Sequence, residues 1–364
     1  MQHFSSEQLL LVSQRLLEAG GSSADEASVV SDHLVRANLL GHDSHGIGML
    51  PFYCGSLDRG TLLPNQEPVL ATDHGAILAF DGQRGYGQAV GRVAMEHAIE
   101  RCRATGLVAM TLRNAHHIGR VGTYGEQSLG AGFASIHFVN VTDHDPLVAP
   151  FLGKEARFST NPVCLAMPSP AGREPILLDM ATSRVALGKV RVAHNKGEPM
   201  GSELLLDADG QRTDDPAVMF RRPQGALTTV GDHKGYGLAL FGELFGGLLS
   251  GGGTIQPGNE RRGGIVNNML TVILDPSKLV EGSYLESELG DLVDYLKSTD
   301  PADEKQPVLI PGEPERLSHA ERTAEGIPVD DTTWQQIGKG GELLGLEAGW
   351  HDALLAPSSE QAPG

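Results

Sequence analysis

Two adjacent histidines, His116 and His117, lie between an apolar run and a stretch that opens a helix. Residues 107–112 predict a buried strand, and residues 121–127 begin the helical stretch. Backbone N–H groups are free at such a junction, and histidine is the side chain best matched to proton transfer near neutral pH. Arg120 adds a guanidinium three residues further on. The segment predicts either a proton-transfer site or two histidines that pack or cap at a turn.

Other polar residues lie in glycine-rich breaks or at the ends of predicted elements. His45 follows a predicted helix, and His233 precedes an apolar one. Asp179 follows a buried strand directly, where a carboxylate either orients a histidine or caps a helix. No Gly-x-Gly-x-x-Gly and no Gly-x4-Gly-Lys-Ser/Thr occurs, so a conventional Rossmann or P-loop nucleotide site is not indicated. No His-x3-His or Cys/His spacing supports a metal site.

The composition is that of an acidic globular protein. The chain has 364 residues, of which 40% are hydrophobic, enough to supply a core. Lys and Arg number 28 against 46 Asp and Glu, a net charge of -18, which disfavours nucleic acid and anionic membranes as partners. One or two arginines can still hold a small anionic substrate. We expect a cytoplasmic protein, because neither a secretory signal nor a long apolar run is found.

The elements that must position these residues are helical at both ends of the chain and strand-rich between. Ser5 and Ser23 predict helix starts, and Gly20-Gly21 and Gly41 predict helix ends. Strands are predicted at 76–81, 107–112, 133–140, 162–168, 175–179 and 265–274, and further helices at 88–103, 184–195 and 238–249. This order predicts an α+β protein in which helices from both chain ends form one domain around an inserted sheet domain.

Several short motifs occur together in an order that resembles the malate/L-lactate dehydrogenase family. They are Asp43-Ser44-His45-Gly46, Asn114–Gly119, Ser159-Thr160-Asn161-Pro162, Leu178–Ser183, Gly188-Lys189, Asp214-Asp215-Pro216 and His233–Leu238. Each motif is weak alone, but the ordered set is specific and spans roughly residues 5–350. The His-His-Ile-Gly-Arg form resembles that of the hydroxycarboxylate dehydrogenase B branch.

The resemblance implies a cytoplasmic homodimer that uses NAD or NADP to interconvert a 2-oxo acid and a 2-hydroxy acid, with no nucleic acid or membrane partner. It implies a mostly antiparallel cofactor sheet that is not a conventional Rossmann fold. We expect residues 116–299 to form the NAD(P)-binding domain, and residues 1–115 with 300–364 to form a helical substrate and dimerisation domain. The alternatives are a reductase of cyclic imine carboxylates and a non-catalytic nucleotide-binding protein.

The resemblance also implies roles for individual residues. His45 or His117 would be the proton donor, and His45 is slightly favoured, with Asp179 as its orienting or electrostatic partner. The substrate would contact Ser44, Met49, Arg120 and Thr160. The residues that would line the dinucleotide are His45, Gly119, Arg120, Val121, Leu177, Leu178, Asp179, Met180, Ala181, His233, Lys234, Asn267, Gly312, Glu313, Pro314 and Glu315.

The chain departs from the family pattern at two positions. Met49 stands where the family commonly has an arginine that faces the substrate carboxylate, and Arg120 stands where many members have a small residue. We hypothesise that the carboxylate anchor has moved to Arg120 and that Met49 makes the pocket more apolar. Such a pocket would favour bulky or aromatic 2-oxo acids. The alternative is that Arg120 binds the cofactor phosphates.

Overall fold

The computed structural model describes residues 1–169 and 172–356. Its strands are β1 (Gln2–Phe4), β2 (Val69–Asp73), β3 (Ile77–Asp81), β4 (Leu107–His116), β5 (Ala134–Thr142), β6 (Val163–Met167), β7 (Ile176–Met180), β8 (Leu205–Leu206), β9 (Arg212–Thr213), β10 (Ala226–Leu227), β11 (Val266–Leu274) and β12 (Ile327–Val329). Its α-helices are α1 (Ser6–Ala19), α2 (Ala24–Leu39), α3 (Leu50–Asp58), α4 (Gly87–Thr105), α5 (Gly122–Gly130), α6 (Leu187–Lys196), α7 (His233–Phe241), α8 (Gly282–Lys297), α9 (Glu313–Glu325), α10 (Asp331–Leu343) and α11 (Trp350–Leu355).

The chain divides into two compact units. Unit 1 comprises Met1–Asn65 and the segment from Glu315 onward, and unit 2 comprises Gln66–Pro314. The units therefore divide at different positions from the expected boundaries at 115/116 and 299/300. Residues 66–115 belong to unit 2 because they contain strands that are hydrogen-bonded into its large sheet. Of the segment expected at the C-terminal end, residues 357–364 lie outside the described residues.

Unit 1 is built from helices that begin at capping residues. The Ser5 hydroxyl accepts a hydrogen bond from the Gln8 N–H, and the Gln8 side chain accepts one from the Ser5 N–H, which forms a capping box. The Ser23 hydroxyl caps α2 through the Glu26 N–H. The apolar faces of α1 and α2 are buried, and the short sheet β1–β12 pairs antiparallel beside them. Both predicted N-terminal helices are confirmed.

Unit 2 contains a seven-stranded sheet in the order β2-β3-β4-β11-β5-β6-β7. Only the pair β3–β4 is parallel, and the other neighbours in this sheet are antiparallel. Helices α4 and α5 pack on one face, where side chains such as Met110, Tyr124 and Met269 form the main core. The predicted α+β class and its mostly antiparallel sheet are confirmed, and the architecture is not a Rossmann fold.

The predicted helix at 238–249 differs from the structure. Helix α7 begins earlier, at His233, and residues Gly242–Leu248 continue as a π-helix. This segment lies against the sheet so closely that a Cβ at Gly242 would lie 2.9 Å from the Val139 carbonyl oxygen, and one at Gly246 would lie 2.8 Å from the Asn140 nitrogen. Glycine is therefore required there. Separately, within the described residues no helix is long and apolar enough to cross a membrane.

A fully buried histidine in the sheet predicts a pH-dependent stability. His137 lies between the Ser135 and Thr271 hydroxyls, each 2.9 Å from a ring nitrogen, and burial lowers its pKa from 6.5 to about 3. Below pH 6.5 this histidine is protonated in the unfolded chain but stays neutral in the folded chain. The neutral, buried His137 therefore contributes its full share to the free energy of unfolding above pH 6.5, and that share is lost as the pH falls toward 3. In the wild type, the free energy of unfolding should fall with decreasing pH at a limiting slope of about 1.4 kcal/mol per pH unit from this residue, and we expect His137→Gln to remove that contribution.

The measurement is urea unfolding of the wild type and of His137→Gln at several pH values between 4 and 7. The exposed His74 provides the control, since His74→Gln should leave the slope of the wild type unchanged. Parallel pH dependence in the wild type and His137→Gln would contradict this account.

Candidate active site

The segment that carries His117 leaves the sheet at an irregularity in strand pairing. The register between β4 and β11 shifts between Asn267 and Met269, and Asn114 has a left-handed backbone with φ of 54°. Two backbone N–H groups at this end of β4 are satisfied by side chains instead of by the ladder. The Asn114 N–H donates to Asn268 Oδ1 at 2.9 Å, and the Ile118 N–H donates to Asn267 Oδ1 at 3.0 Å. A bulge of this kind re-aims the residues that follow it.

The two histidines are buried and their backbone is held on a second side. His116 is 0% exposed and His117 is 6% exposed. A Cβ at Gly87, the first residue of α4, would lie 2.2 Å from the His116 carbonyl oxygen, so only glycine permits this approach. The Tyr124 hydroxyl lies 2.7 Å from the Ile118 carbonyl oxygen. The His117 imidazole is thus presented from a backbone that cannot shift freely.

A buried charged cluster follows directly. The Arg120 side chain is 1% exposed; its Nη1 lies 2.8 Å from Glu126 Oε1 and its Nε lies 3.6 Å from Asp179 Oδ2. Asp179 Oδ2 also accepts the Gly122 N–H at 2.7 Å, at the first residue of α5. Burial raises the pKa of the neighbouring Cys164 thiol well above its usual range, and the Asp179 carboxylate adds to that shift. The strand-to-helix connection after His117 is therefore tied to the end of β7.

Backbone hydrogen bonds bring Thr160, the end of β7 and the start of α7 together. The Thr182 N–H donates to the Thr160 carbonyl oxygen at 2.9 Å, and the Val230 N–H donates to the Thr182 carbonyl oxygen at 2.9 Å. Met180 and Ala181, which directly precede Thr182, are half-buried. The predicted residues His233 and Lys234 follow this connection as the first two residues of α7, and both are exposed.

The predicted 312–314 loop lies beside the same strand. The Leu177 N–H donates to the Pro311 carbonyl oxygen at 3.2 Å. Gly312 has a φ of 97°, a conformation that favours glycine. The Glu313 carboxylate accepts the Ile310 N–H at 2.8 Å and pairs with Lys297, which fixes the turn. Pro314, the last residue of unit 2, is exposed.

The remaining predicted residues belong to unit 1. Ser44 and His45 lie in a short 3-10 turn, and His45 and Met49 are half-buried. The Asn38 side chain makes two hydrogen bonds to this turn: its Nδ2 donates to Asp43 Oδ1 at 2.7 Å, and its Oδ1 accepts the Ile47 N–H at 2.8 Å.

Helix α9 secures the same turn from its other side. The Arg322 guanidinium lies 2.6 and 2.9 Å from the two Asp43 oxygens. Glu315, which was expected to line the dinucleotide, lies 3.3 Å from His42 Nε2.

Unit 2 therefore brings together most of the residues predicted for the dinucleotide, along with His117, Arg120 and Thr160. Sequence reasoning missed Glu126 and the structural role of Gly122. No signal could have found Glu126, because Arg120 precedes α5 and the spacing between them is not a helical pairing. Among residues 1–169 and 172–356, no group of three or more His, Cys, Asp or Glu side chains could hold a metal ion.

Comparison with known proteins places this arrangement in a family. The model of the malate/L-lactate dehydrogenase family matches residues 4–338. The chain belongs to this family. It is 41% identical over 345 residues to hydroxycarboxylate dehydrogenase B of Escherichia coli, with 94% of each chain covered. It is also 41% identical over 322 residues to an L-lactate dehydrogenase of Cupriavidus necator, with 88% of this chain and 92% of that one covered.

The fold agrees with that assignment. A solved structure from Escherichia coli superposes with a TM-score of 0.93 at 40% identity, covering 97% of this chain and 98% of that one. As a member of the malate/L-lactate dehydrogenase family, the protein is an oxidoreductase. The family resemblance read from the ordered motifs is confirmed.

The turn that carries His45 in this family member depends on Asn38, which is 4% exposed. Asn38→Ala removes two hydrogen bonds, and we expect it to lower the free energy of unfolding by about 2 kcal/mol. Ser44 and His45 then lose their fixed positions. If they serve the reaction, as the family resemblance implies, dehydrogenase turnover should fall at least tenfold at a temperature where the variant remains folded.

The matched control is Ser318→Ala, which removes a hydrogen bond to the Leu39 carbonyl oxygen without touching the turn. Steady-state kinetics and urea unfolding of both variants check the expectation. Equal losses of turnover in the two variants would show that the position of the turn does not matter for activity.

Proposed function

We propose that the protein is an NAD(P)H-dependent reductase of 2-oxo acids that also runs in reverse, as a 2-hydroxycarboxylate dehydrogenase. The observation that carries the proposal is the buried His117 imidazole at a fixed strand end, three residues before a guanidinium that lies 3.6 Å from the Asp179 carboxylate. Such an arrangement suits proton transfer in a site from which water is excluded. The names of the relatives, a hydroxycarboxylate and an L-lactate dehydrogenase, support the same chemistry.

The residues of unit 2 fit a pyridine dinucleotide. The half-buried Leu178, Met180 and Ala181 offer an apolar strip for a planar ring. The exposed His233 and Lys234 stand at the N-terminus of α7, where cationic side chains and helix N–H groups favour phosphate. Gly119, Val121, Asn267 and the 312–314 segment would complete the lining. When bound, NADH or NADPH supplies the hydride.

Reduction of a ketone also requires a proton at the carbonyl oxygen, and the protein's own residues deliver it. In our proposal the proton passes from the His45 or His117 imidazole to that oxygen, with His45 favoured and Asp179 as the orienting or electrostatic partner of the donor. Ser44 and Thr160 donate hydrogen bonds to the substrate. Met49 presents an apolar side chain, which favours bulky or aromatic 2-oxo acids.

We propose that unit 2 is the nucleotide-binding domain and that unit 1 provides substrate contacts and dimerisation. The protein acts as a cytoplasmic homodimer in this proposal, with a small 2-oxo or 2-hydroxy acid as its partner.

The test of this function is oxidation of NADH and of NADPH, followed by absorbance. The substrates are pyruvate, oxaloacetate, 2-oxoglutarate, phenylpyruvate and a cyclic imine carboxylate. Because Met49 replaces a carboxylate-binding arginine with an apolar side chain, we expect phenylpyruvate to have the highest kcat/KM, at least tenfold above oxaloacetate. Size-exclusion chromatography with light scattering checks the dimer in the same preparation.

Each other outcome of this panel has a definite meaning. Turnover of the imine alone would make the protein a cyclic imine carboxylate reductase. Preference for oxaloacetate would overturn the apolar-pocket proposal while keeping the reaction class. Nucleotide binding with no turnover of any member would favour the non-catalytic alternative.

The proton donor can be separated from the other histidine by matched variants. We expect His45→Asn to lower kcat by about 10²–10⁴-fold, the usual contribution of a general acid, and His117→Asn to lower it less. His117→Asn should bind the nucleotide within threefold of the wild type, and His45→Asn should retain measurable binding, as followed by NADH fluorescence. His74→Asn, at an exposed position, serves as the control. The reverse order of effects would assign the proton to His117.

A further inference from the structure

Arg120 is buried more completely than an arginine that awaits a substrate should be. Its side chain is 1% exposed and already lies within ion-pair distance of Glu126 and Asp179. Transfer of a guanidinium out of water is expensive, and partners of opposite charge at short distance are what make it tolerable. With 1% of its side chain exposed, Arg120 offers almost no surface through which a substrate carboxylate could reach it.

Arg120 contacts two elements of unit 2, strand β7 through Asp179 and helix α5 through Glu126. Asp179, at the end of β7, meets the guanidinium at 3.6 Å and the Gly122 N–H at 2.7 Å through the same oxygen, Oδ2. Glu126, one turn into α5, meets the guanidinium from its other side at 2.8 Å. The guanidinium therefore bridges β7 to the helix that follows His117.

Gly122 shows how tightly this bridge is packed. A Cβ at Gly122 would lie 2.5 Å from Arg120 Nη2 and 2.9 Å from Asp179 Oδ2. Any other residue would push the guanidinium away from the carboxylate. The absence of a side chain at position 122 is thus a condition for the bridge.

We propose that Arg120 is a positioning residue, which fixes the Asp179 carboxylate and the segment from His117 to Gly122 relative to each other and binds neither the substrate carboxylate nor the cofactor phosphates. The proposal rests on the proposed function in one respect, namely that Asp179 and His117 serve the reaction. The proposal explains why position 120 holds an arginine. A small residue there would leave Asp179 its hydrogen bond from the Gly122 N–H but would remove the positive charge beside it.

The kinetic test compares Arg120→Met, Arg120→Lys and the control Arg92→Met, which removes an exposed arginine from α4. We expect Arg120→Met to lower kcat at least 30-fold, while the KM for the 2-oxo acid and the Kd for NADH or NADPH change less than threefold. Arg120→Lys should restore part of kcat, because it returns the charge without the planar fork. Arg92→Met should behave as the wild type.

Two results would overturn the proposal. A KM for the 2-oxo acid raised at least tenfold with kcat preserved would make Arg120 the substrate anchor. A nucleotide Kd weakened at least tenfold would make it a phosphate ligand. Should Arg120→Met fail to fold, Glu126→Gln tests the same bridge more mildly, with a smaller loss of kcat and an unchanged KM expected; a raised KM in that variant would also count against positioning.

A second measurement does not depend on activity. Urea midpoints of Arg120→Met, Asp179→Asn and the double variant form a double-mutant cycle. If Arg120 and Asp179 stabilise each other, the double variant should lose less free energy of unfolding than the sum of the two single losses. Additive losses would overturn the bridge. If the wild type turns over no substrate, the proposed function fails on its own, and this cycle still decides whether Arg120 and Asp179 act together.

Discussion

The site in unit 2 depends on one constraint: the polar groups that β4 and β11 release at their irregular end must find partners inside the protein. Asn268 and Asn267 meet this requirement by accepting the Asn114 and Ile118 N–H groups. Both then donate to Asn140, one to its side-chain oxygen at 2.9 Å and the other to its carbonyl oxygen at 3.1 Å. These three asparagines are 0–3% exposed. Buried amides without partners would cost several kcal/mol, so the network fixes the backbone on both sides of His117.

The network ends at a buried carboxylate, Glu243, which lies in the π-helix. Glu243 accepts hydrogen bonds from Asn140 Nδ2, Asn161 Nδ2 and the Ile255 N–H, at 3.1, 2.8 and 2.9 Å. Burial raises the pKa of Glu243, while these same donors favour its ionised form. Glu243 belongs to the π-helix Gly242–Leu248, so these three hydrogen bonds tie that segment to the asparagine network. The irregular helix and the irregular strand end are thus two parts of one arrangement.

Local patterns predicted what local patterns can determine. Apolar runs located β4, β5 and β11 to within a few residues, and glycine, serine and histidine clusters marked most segments that later converged in unit 2. The sequence did not reveal β2. Its residues are mostly exposed, so they form no alternating apolar pattern, and it is defined only by its pairing with β3. The expected boundary at 115/116 differs from the division of the chain after Asn65 for a related reason. The periodicity of α4 shows that it has a buried face but not which layer covers that face.

If Arg120 is a positioning residue, as we propose, it does not replace the arginine that the family commonly has at the position of Met49. A guanidinium that is 1% exposed and already lies within ion-pair distance of Glu126 and Asp179 offers little surface to a substrate carboxylate. On the proposed function, recognition of the 2-oxo acid then rests on neutral donors such as Ser44 together with apolar contact at Met49. Hydrogen bonds from hydroxyls are weaker than a bidentate arginine contact, so affinity has to come from the substrate's side chain. Under the same proposal a large hydrophobic group supplies this affinity, and a second carboxylate does not.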